Sequence, residues 1–306
     1  MQLKIGTRGS SLAVTQSEWI KNKIESRYPD VSVELIRIKT KGDKIIDSPL
    51  SRIGGKGLFV KEIEDALLRK DVDIAVHSIK DVPAELPDGL CLPVFPERED
   101  PRDAFISRSY GSLSDLPKGA PIGTGSLRRS SQLLNIRPDL KIVPLRGNVD
   151  TRLKRLESGN LYAVILAAAG LNRLSLSGRI TQLLSTASFL PAIGQGALGL
   201  EVREYDYKLL ELLHFLNHRP TEIAVRAERA FLKRLEGGCQ VPIAGFGTFE
   251  DGIVTLKGMV AELDGSIIIK DEVKGNEDQP EDLGFALAER LLKSGADKIL
   301  AGVYGR

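Results

Sequence analysis

Hydrophobic and polar positions follow two periods along this chain. Through the first two thirds, short apolar runs of strand length alternate with stretches in which apolar residues recur every three or four positions, as on one face of a helix. Strands that alternate with helices in this way favour parallel α/β sheets. The pattern predicts strands at Leu3–Gly6, Val31–Ile38, Val72–His77, Leu90–Phe95, Pro121–Gly123, Lys141–Leu145 and Tyr162–Ala167, and helices at Ser11–Tyr28, Leu58–Lys70, Ser126–Asn135 and Val149–Glu157.

The order of these elements predicts two lobes. A proline- and charge-rich segment, 96–103, separates the two sets of strands and is interpreted as a linker. The apolar run Ala197–Val202 follows a glycine-rich turn and is interpreted as a strand that returns to the first lobe. We therefore expect residues 1–97 and 197–217 to form the first α/β lobe and residues 98–196 to form the second.

The last third has a different pattern. Asp251-Gly252 and Asp264-Gly265 separate three strand-like runs, and both pairs are typical of two-residue hairpin turns. Residues 218–306 are therefore expected to form a small C-terminal α+β domain with a three-stranded antiparallel sheet. Its predicted elements are a helix at Thr221–Leu235, strands at Val241–Phe249, Ile253–Glu262 and Ile267–Val273, and a closing helix at Pro280–Lys293.

Composition narrows the class of protein. The 306 residues carry a net charge of +2, with 42% hydrophobic and 27% charged residues, which is typical of a soluble globular protein. The longest apolar run, Ala163–Leu171, is about half of what a membrane-spanning helix needs. The first residues enter a strand pattern without the apolar core of a signal peptide. We expect a cytoplasmic monomer with neither a membrane nor a nucleic-acid partner.

Cysteines and histidines do not indicate a metal site. Cys91 lies in an apolar run and is interpreted as a core thiol, far along the chain from Cys239, so the two form no zinc or disulfide motif. His214 and His218 have the spacing of metal ligands on a helix, but neither a third ligand nor an intervening glutamate accompanies them. We therefore expect no metal.

Three turns share a composition that suits anions. Segments 6–10, 123–129 and 146–148 each follow a predicted strand, open a helix, and combine glycine with arginine and a small polar residue. Unpaired amides and the positive dipole end of a helix attract anions there, and arginine adds forked donors for carboxylates. Such turns are common on protein surfaces. Their occurrence in both lobes favours a site for a polyanion, since ligands of open α/β sheets bind beyond the strand ends.

Further segments have two interpretations each. Cys239 follows two glycines directly after a helix, which indicates either an open, reactive turn or a helix end with an incidental small residue. Asp81 lies in segment 77–83, at the end of a predicted strand. It is interpreted either as a catalytic residue or as a structural one that caps a helix or forms a surface ion pair. The glycine-rich segment 39–57 is either a lid or a solvated loop.

Taken in order, the motifs of this chain closely resemble the porphobilinogen deaminase (hydroxymethylbilane synthase) family. The combination of HSIKDVP, SLRR, RGNVDTR and EGGCQVP is the most specific part of the match. Arg52 is a departure, because it stands where a lysine is expected, and it keeps the charge but not the geometry. The other matching segments are TRGSSLA, GGKGLFVKEIE, DIAVHSIKDVP, EREDPRDAF, IGTGSLRR, LRGNVDTRL, LAAAGLNRL, LPAIGQGALG and LEGGCQVPIA.

The resemblance implies that both α/β lobes have the fold of type II periplasmic binding proteins. It also implies a transferase of tetrapyrrole biosynthesis. This transferase joins four porphobilinogen molecules, with loss of ammonia, to a dipyrromethane cofactor held by Cys239 through a thioether, and water then releases the linear tetrapyrrole hydroxymethylbilane. The implied catalytic residues are Asp81, Arg8 and Lys80, with Asp81 facing the pyrrole N–H groups. The implied cofactor-binding residues are Cys239, Ser78, Lys80, Asp81, Thr124, Ser126, Arg128, Arg129, Arg146 and Gly147, and the implied substrate-binding residues are Arg8, Ser10, Lys56, Phe59, Arg146, Arg152, Arg173 and Gln195.

Two rival functions remain at the level of the sequence. A two-lobe binding or sensor module for a carboxylated metabolite shares the fold and the anion turns, and fold alone does not decide function. The lack of a signal peptide and the turn at Cys239 count against it. A cysteine hydrolase is a weaker rival, because no histidine lies in a motif that activates Cys239.

Overall fold

The computed structural model describes residues 1–44, 60–236 and 241–304. The predictions made for Arg52, Lys56, Phe59 and Cys239, and most of the glycine-rich segment 39–57, lie outside the described residues. Among the described helices, none combines the length and the apolar character that a membrane span requires. The described residues also contain no group of three or more His, Cys, Asp or Glu side chains placed to hold a metal ion.

The regular elements are numbered in chain order. The strands are β1 Gln2–Thr7, β2 Ser32–Arg37, β3 Ile74–Ser78, β4 Leu90–Val94, β5 Asp103–Ser107, β6 Pro121–Gly123, β7 Lys141–Val143, β8 Ala163–Ala167, β9 Gln182–Leu184, β10 Leu198–Arg203, β11 Ile243–Glu250, β12 Ile253–Ala261 and β13 Ile268–Asn276. The helices are α1 Ser11–Arg27, α2 Lys41–Lys44, α3 Lys61–Leu68, α4 Leu127–Ile136, α5 Val149–Glu157, α6 Ala168–Arg173, α7 Tyr207–Leu213, α8 Arg219–Arg234, α9 Pro280–Leu291 and α10 Asp297–Tyr304.

The described residues divide into two units, Met1–Glu99 with Ala197–Glu222, and Asp100–Gly196 with Ile223–Arg306. The first unit contains one sheet in the order β2-β1-β3-β10-β4. Apolar residues of β1, β3 and β10, such as Ile5, pack on α1 and α7, and the opposite face packs on α3 through Ile63 and Leu67. The predicted return of the chain is confirmed, since β10 pairs with β3 and β4.

The second unit holds two sheets. One has the order β7-β6-β8-β5-β9, and its core includes Phe105, Ile122 and Ile165. The other is the antiparallel sheet β11-β12-β13, whose core centres on Phe231 of α8 and Leu287 of α9. The predicted fold class, α/β lobes with a small three-stranded antiparallel sheet, is confirmed in these two units.

The expectation of purely parallel sheets is wrong for one strand in each of the two five-stranded sheets. β10 is antiparallel to β3 and β4, and β5 is antiparallel to β8 and β9. Each is the first strand after the chain passes from one unit to the other, at 99–100 and at 196–197. Neither therefore follows the strand–helix–strand crossover that makes successive strands parallel.

The two hairpin turns of the C-terminal sheet differ. Asp251 and Gly252 have φ values of 50° and 76°, so the predicted two-residue turn of type I′ is confirmed. The prediction for Asp264-Gly265 is wrong, because residues 263–266 form a longer loop closed by Glu262 and Ile267. Packing against α4 explains this loop: the Gly265 carbonyl accepts a 2.9 Å bond from Asn135, and a Cβ on Gly265 would lie 2.3 Å from the Ser131 carbonyl oxygen.

Candidate functional site

The turn between β1 and α1 supplies the side chain that caps α1. Ser10 is the N-cap of α1, and its hydroxyl accepts a 3.4 Å bond from the amide of Ala13. Thr7 is buried and donates to the carbonyl of Ala13 at 3.1 Å. Arg8 is half-buried in this turn. The sequence Thr-Arg-Gly-Ser therefore places a cation and a polar cap at the same end of the first sheet.

The end of β3 lies beside the same helix. Ser78 and Gln16 of α1 exchange bonds of 3.1 and 3.3 Å between hydroxyl and amide. A single 3-10 turn, Ile79–Asp81, follows, closed by the amide of Val82. The side chain of Ile79 is buried, whereas Lys80 is half-buried and Asp81 is exposed. Because β1 and β3 are parallel neighbours, the structure brings together Arg8, Ser10, Ser78, Lys80 and Asp81 at the carboxyl edge of the first sheet.

A cluster of buried acids lies behind this edge, and the sequence did not reveal it. His77 Nε2 lies 2.8 Å from Glu201 Oε2, and both side chains are buried. Glu64 of α3 is buried nearby, where burial and then the charge of Glu201 raise its pKa to about 7. Oε1 of Glu64 and Oε1 of Glu201 have no hydrogen-bond partner among the described residues. The only available signal was an acidic residue at an inward position of α3 and another in β10.

In the second unit, the turn between β6 and α4 repeats the design of the first. Ser126 is the N-cap of α4, and its hydroxyl accepts from the amide of Arg129 at 3.4 Å. The buried Thr124 accepts from the amide of Ser126 at 3.2 Å. Gly125 is required by close packing, because a Cβ there would lie 2.7 Å from the carbonyl oxygen of Leu145.

Asp103 is the centre of the charged groups in this unit. Its carboxylate accepts from Arg128 Nη1 at 2.7 Å and from Arg129 Nε at 2.9 Å, with Arg129 Nη2 at 2.7 Å. It also accepts from Gln195 Nε2 at 3.1 Å. Burial alone would raise the pKa of Asp103, but the charges and hydrogen bonds of the two arginines outweigh burial and lower it to about 2. One carboxylate thus offsets one of two adjacent positive charges.

The structure corrects the interpretation of segment 96–103 as a linker over its whole length. Asp103 begins β5 and is fully buried. Arg128 and Arg129, which were expected to bind cofactor, have only 5% and 7% of their side-chain surface exposed. Two buried arginines require a counter-charge, and Asp103 supplies it from within the segment EREDPRDAF.

The third anion turn lies at the start of α5. Asn148 caps the helix by accepting from the amide of Thr151 at 2.8 Å. Gly147 has a φ of 107°, which favours glycine, and its carbonyl accepts from Arg152 Nε at 2.8 Å. Arg146 is half-buried, and no hydrogen bond or ion pair joins it to another described residue. Among the predicted cationic site residues of this unit, Arg146 is therefore the one that no described side chain neutralises.

Two other predicted site residues, Arg173 and Gln195, form hydrogen bonds at the turn 191–196. Arg173 Nη2 at the end of α6 donates to the carbonyl of Gly196 at 2.8 Å. Gln195 is buried, and its Nε2 also donates to the carbonyl of Pro101 at 2.7 Å. The structure therefore joins Gln195 to the Asp103 group, whereas Arg146 and Arg152 lie at a separate turn.

Comparisons with known proteins cover nearly the whole chain. Residues 3–211 match the family model described as "Porphobilinogen deaminase, dipyromethane cofactor binding domain", and residues 222–293 match "Porphobilinogen deaminase, C-terminal domain". The chain belongs to the porphobilinogen deaminase family. The porphobilinogen deaminase of Geobacter metallireducens is 56% identical over 305 residues, which cover 100% of this chain and 96% of that protein. That of Geobacter sulfurreducens is 55% identical, with the same coverage of both chains.

Among solved structures, the similarity is partial. The methionine-binding protein MetQ matches with a TM-score of 0.44 and 15% identity, over 69% of this chain and 87% of its own. A periplasmic substrate-binding protein of an ABC transporter from Coxiella burnetii matches with a TM-score of 0.44 and 16% identity, over 70% of this chain and 91% of its own. Similarity at this level gives no information about the ligand of a porphobilinogen deaminase family member.

Replacing Asp103 should strongly destabilise the second unit. Asp103→Asn keeps the shape but leaves Arg128 and Arg129 buried without their counter-charge, which costs about 3–5 kcal/mol in the free energy of unfolding. Because the folded-state pKa is lowered to about 2, the contribution of Asp103 should persist down to about pH 4 and be lost between about pH 4 and 2. Urea unfolding measures both effects.

Glu157→Gln is the matched control, because it removes one partner of the exposed ion pair with Arg179, whose atoms lie 2.8 Å apart. It should change the free energy of unfolding by less than about 1 kcal/mol. Equal losses in the two variants would contradict the central role of Asp103.

Glu64 should make the stability of the first unit depend on pH. Its folded-state pKa of about 7 exceeds the ordinary value of 4.5, so the unfolded chain loses this proton first as the pH rises. The free energy of unfolding should therefore fall between about pH 4.5 and 7, by on the order of 2–3 kcal/mol, and then level off. Glu64→Gln cannot titrate and should remove this component. If the free energy of urea unfolding changed with pH by the same amount in the parent protein and in Glu64→Gln, Glu64 would not be the source of the pH dependence.

Proposed function

We propose that this chain joins four porphobilinogen molecules head to tail, with release of ammonia, on a dipyrromethane cofactor attached to Cys239 by a thioether, and releases hydroxymethylbilane by hydrolysis. The observation that carries the proposal is the match of both family domains along the chain, of which the second includes Cys239. The charged turns of both units support it independently, because a chain of pyrroles with acetate and propionate groups needs many cationic partners.

The residues of the second unit fit a cofactor with several carboxylates. Arg128 and Arg129 together carry one more positive charge than Asp103 offsets, and they begin a helix whose positive dipole end adds to it. Arg146 is half-buried beside Gly147 and is joined to no described carboxylate. We assign Thr124, Ser126, Arg128, Arg129, Arg146 and Gly147 to cofactor binding in this unit. When bound, dipyrromethane supplies the pyrrole carbon that accepts the first substrate molecule.

In the first unit, Asp81 is a carboxylate beside cations. Arg8 and Lys80 lie at the same sheet edge and are assigned, with Asp81, to catalysis. Arg8 and Ser10 are also assigned to substrate binding, and Ser78, Lys80 and Asp81 also to cofactor binding. Asp81 is assigned to the pyrrole N–H groups, where its charge stabilises the positive charge that develops as ammonia leaves. The proposed substrate-binding set also includes Arg146, Arg152, Arg173 and Gln195 among the described residues. Lys56 and Phe59 belong to the proposal on the motif alone.

The proposal also covers the division into domains, the oligomeric state and the cellular location. Residues 1–97 with 197–217, residues 98–196 and residues 218–306 are proposed as three domains, with Cys239 in the third. The protein is proposed to act as a cytoplasmic monomer on a small-molecule substrate, without nucleic acid.

The attached cofactor gives the first test. The intact, denatured protein should exceed its polypeptide mass by two linked pyrroles, and Cys239→Ala should have the polypeptide mass alone. Cys91→Ala is the control and should keep the adduct, because Cys91 is a partly buried thiol whose pKa is raised by burial. A fully active protein without added mass would overturn the proposal.

Asp81→Asn tests the catalytic assignment. The change keeps the shape and removes the charge, so the chemical step should slow by two to three decades, or about 3–4 kcal/mol, while substrate affinity changes little. Single-turnover ammonia release measures the step, with protein that already carries the cofactor. Asp88→Asn in the loop before β4 is an exposed control. A loss of affinity with a normal saturated rate would mean that Asp81 only positions the ring.

A further inference from the structure

Glu228 is a fully buried acid in the middle of α8, and it is not among the residues assigned above. Its Oε2 accepts from the amide of Gly194 at 2.5 Å, and its Oε1 accepts from the amide of Gly247 at 2.7 Å. One carboxylate therefore joins three segments of the second unit, namely the helix α8, the turn 191–196 and the strand β11. Short bonds from amides to a charged acceptor are stronger than bonds between neutral groups.

Both glycines lie where the backbone must come close to its neighbours. Gly194 has a φ of 69°, which favours glycine. A Cβ on Gly247 would lie 3.0 Å from the carbonyl oxygen of Ala224 in α8. Glycine thus permits the backbone conformation at 194 and the close approach at 247, and the two amides that bind Glu228 join the turn and the strand to the helix.

The turn that Glu228 holds belongs to the Asp103 group. Gln195 follows Gly194 directly, and its side chain donates to Asp103. Asp103 in turn binds the guanidinium groups of Arg128 and Arg129. Hydrogen bonds, together with the peptide link from Gly194 to Gln195, therefore connect α8 to the two arginines at the start of α4.

The same helix leads to the cysteine. α8 ends at Arg234, Leu235 still donates to the carbonyl of Phe231, and the segment with Cys239 follows Glu236. We infer that Glu228 is a positioning residue, which holds the helix before the cofactor-bearing cysteine in a fixed place relative to the arginines that bind cofactor carboxylates. The inference rests on the proposed function, although the placement of the Cys239 segment is testable without it.

The test compares Glu228→Gln with Glu281→Gln. The first keeps the size of the side chain, but its NH2 group faces one of the two glycine amides instead of accepting from it. The second removes an exposed partner of Arg226, also on α8, at 2.7 Å, and serves as the control. Glu228→Asp keeps the charge but is one methylene shorter, so it reaches one amide only and is a milder variant in case the first does not fold.

Two readouts are combined. In protein made without cofactor, the rate of iodoacetamide alkylation at Cys239 is measured by peptide mapping, with Cys91 as an internal reference. In protein that carries the cofactor, kcat and KM for porphobilinogen are measured for each loaded molecule. We expect Glu228→Gln to change the alkylation rate at Cys239 by at least about threefold and to lower kcat about tenfold with little change in KM. Glu228→Asp should lie between, and the control should match the parent protein.

A purely structural role predicts a different result. Thermal unfolding would then shift to lower temperature, while the alkylation rate at Cys239 and the kcat of each loaded, folded molecule stay unchanged, and this outcome overturns the inference. A parent protein without cofactor would instead refute the proposed function, and the alkylation rates would still decide the inference about Glu228.

Discussion

The buried ion group of Asp103, Arg128 and Arg129 is the constraint on which the second unit depends. Two adjacent arginines can enter an interior only with a counter-charge and with acceptors for their remaining N–H groups. Asp103 supplies the charge. The carbonyl of Leu190 accepts a 2.7 Å bond from Arg128, and the carbonyl of Ile165 accepts a 3.1 Å bond from Arg129. The start of α4, the start of β5 and the middle of β8 are therefore held by a single group, which keeps a net positive charge at the site.

The anion turns show how local sequence chemistry and ligand binding coexist. Ser10, Ser126 and Asn148 each satisfy one amide of the helix that they begin. A helix starts with four unpaired amides, so one cap leaves most of the positive end available. The caps fix where each helix begins, and the arginines beside them supply charge. The same short motifs thus determine where each helix begins and place positive charge beside that helix end.

The period of the pattern made most elements predictable, and the local chemistry made one hairpin turn predictable. The short strands β5 and β9 and the helices α2, α6, α7 and α10 were not predicted, and neither were the helix caps at Ser10, Ser126 and Asn148. Strand direction was not, because β5 and β10 enter their sheets after a change of unit rather than through a crossover helix. The partners of the site residues were also hidden. Asp103 stands among charges that suit a linker, and only three-dimensional contact shows that it lies under Arg128 and Arg129. Motifs indicate which residues matter, but not which of them are bound to each other.

Strand alternation explains how β3 supports both a surface site and a buried acid cluster. Successive side chains of a strand point to opposite faces. Ser78 therefore meets Gln16 of α1 on one face, while His77 is directed to the face that carries α3 and Glu64. His77 is also bound to Glu201 of the neighbouring strand β10. The strand that presents Lys80 and Asp81 is thus anchored one residue before the sheet edge by a bond between strands, and the charges of that anchor stay on the face opposite to α1.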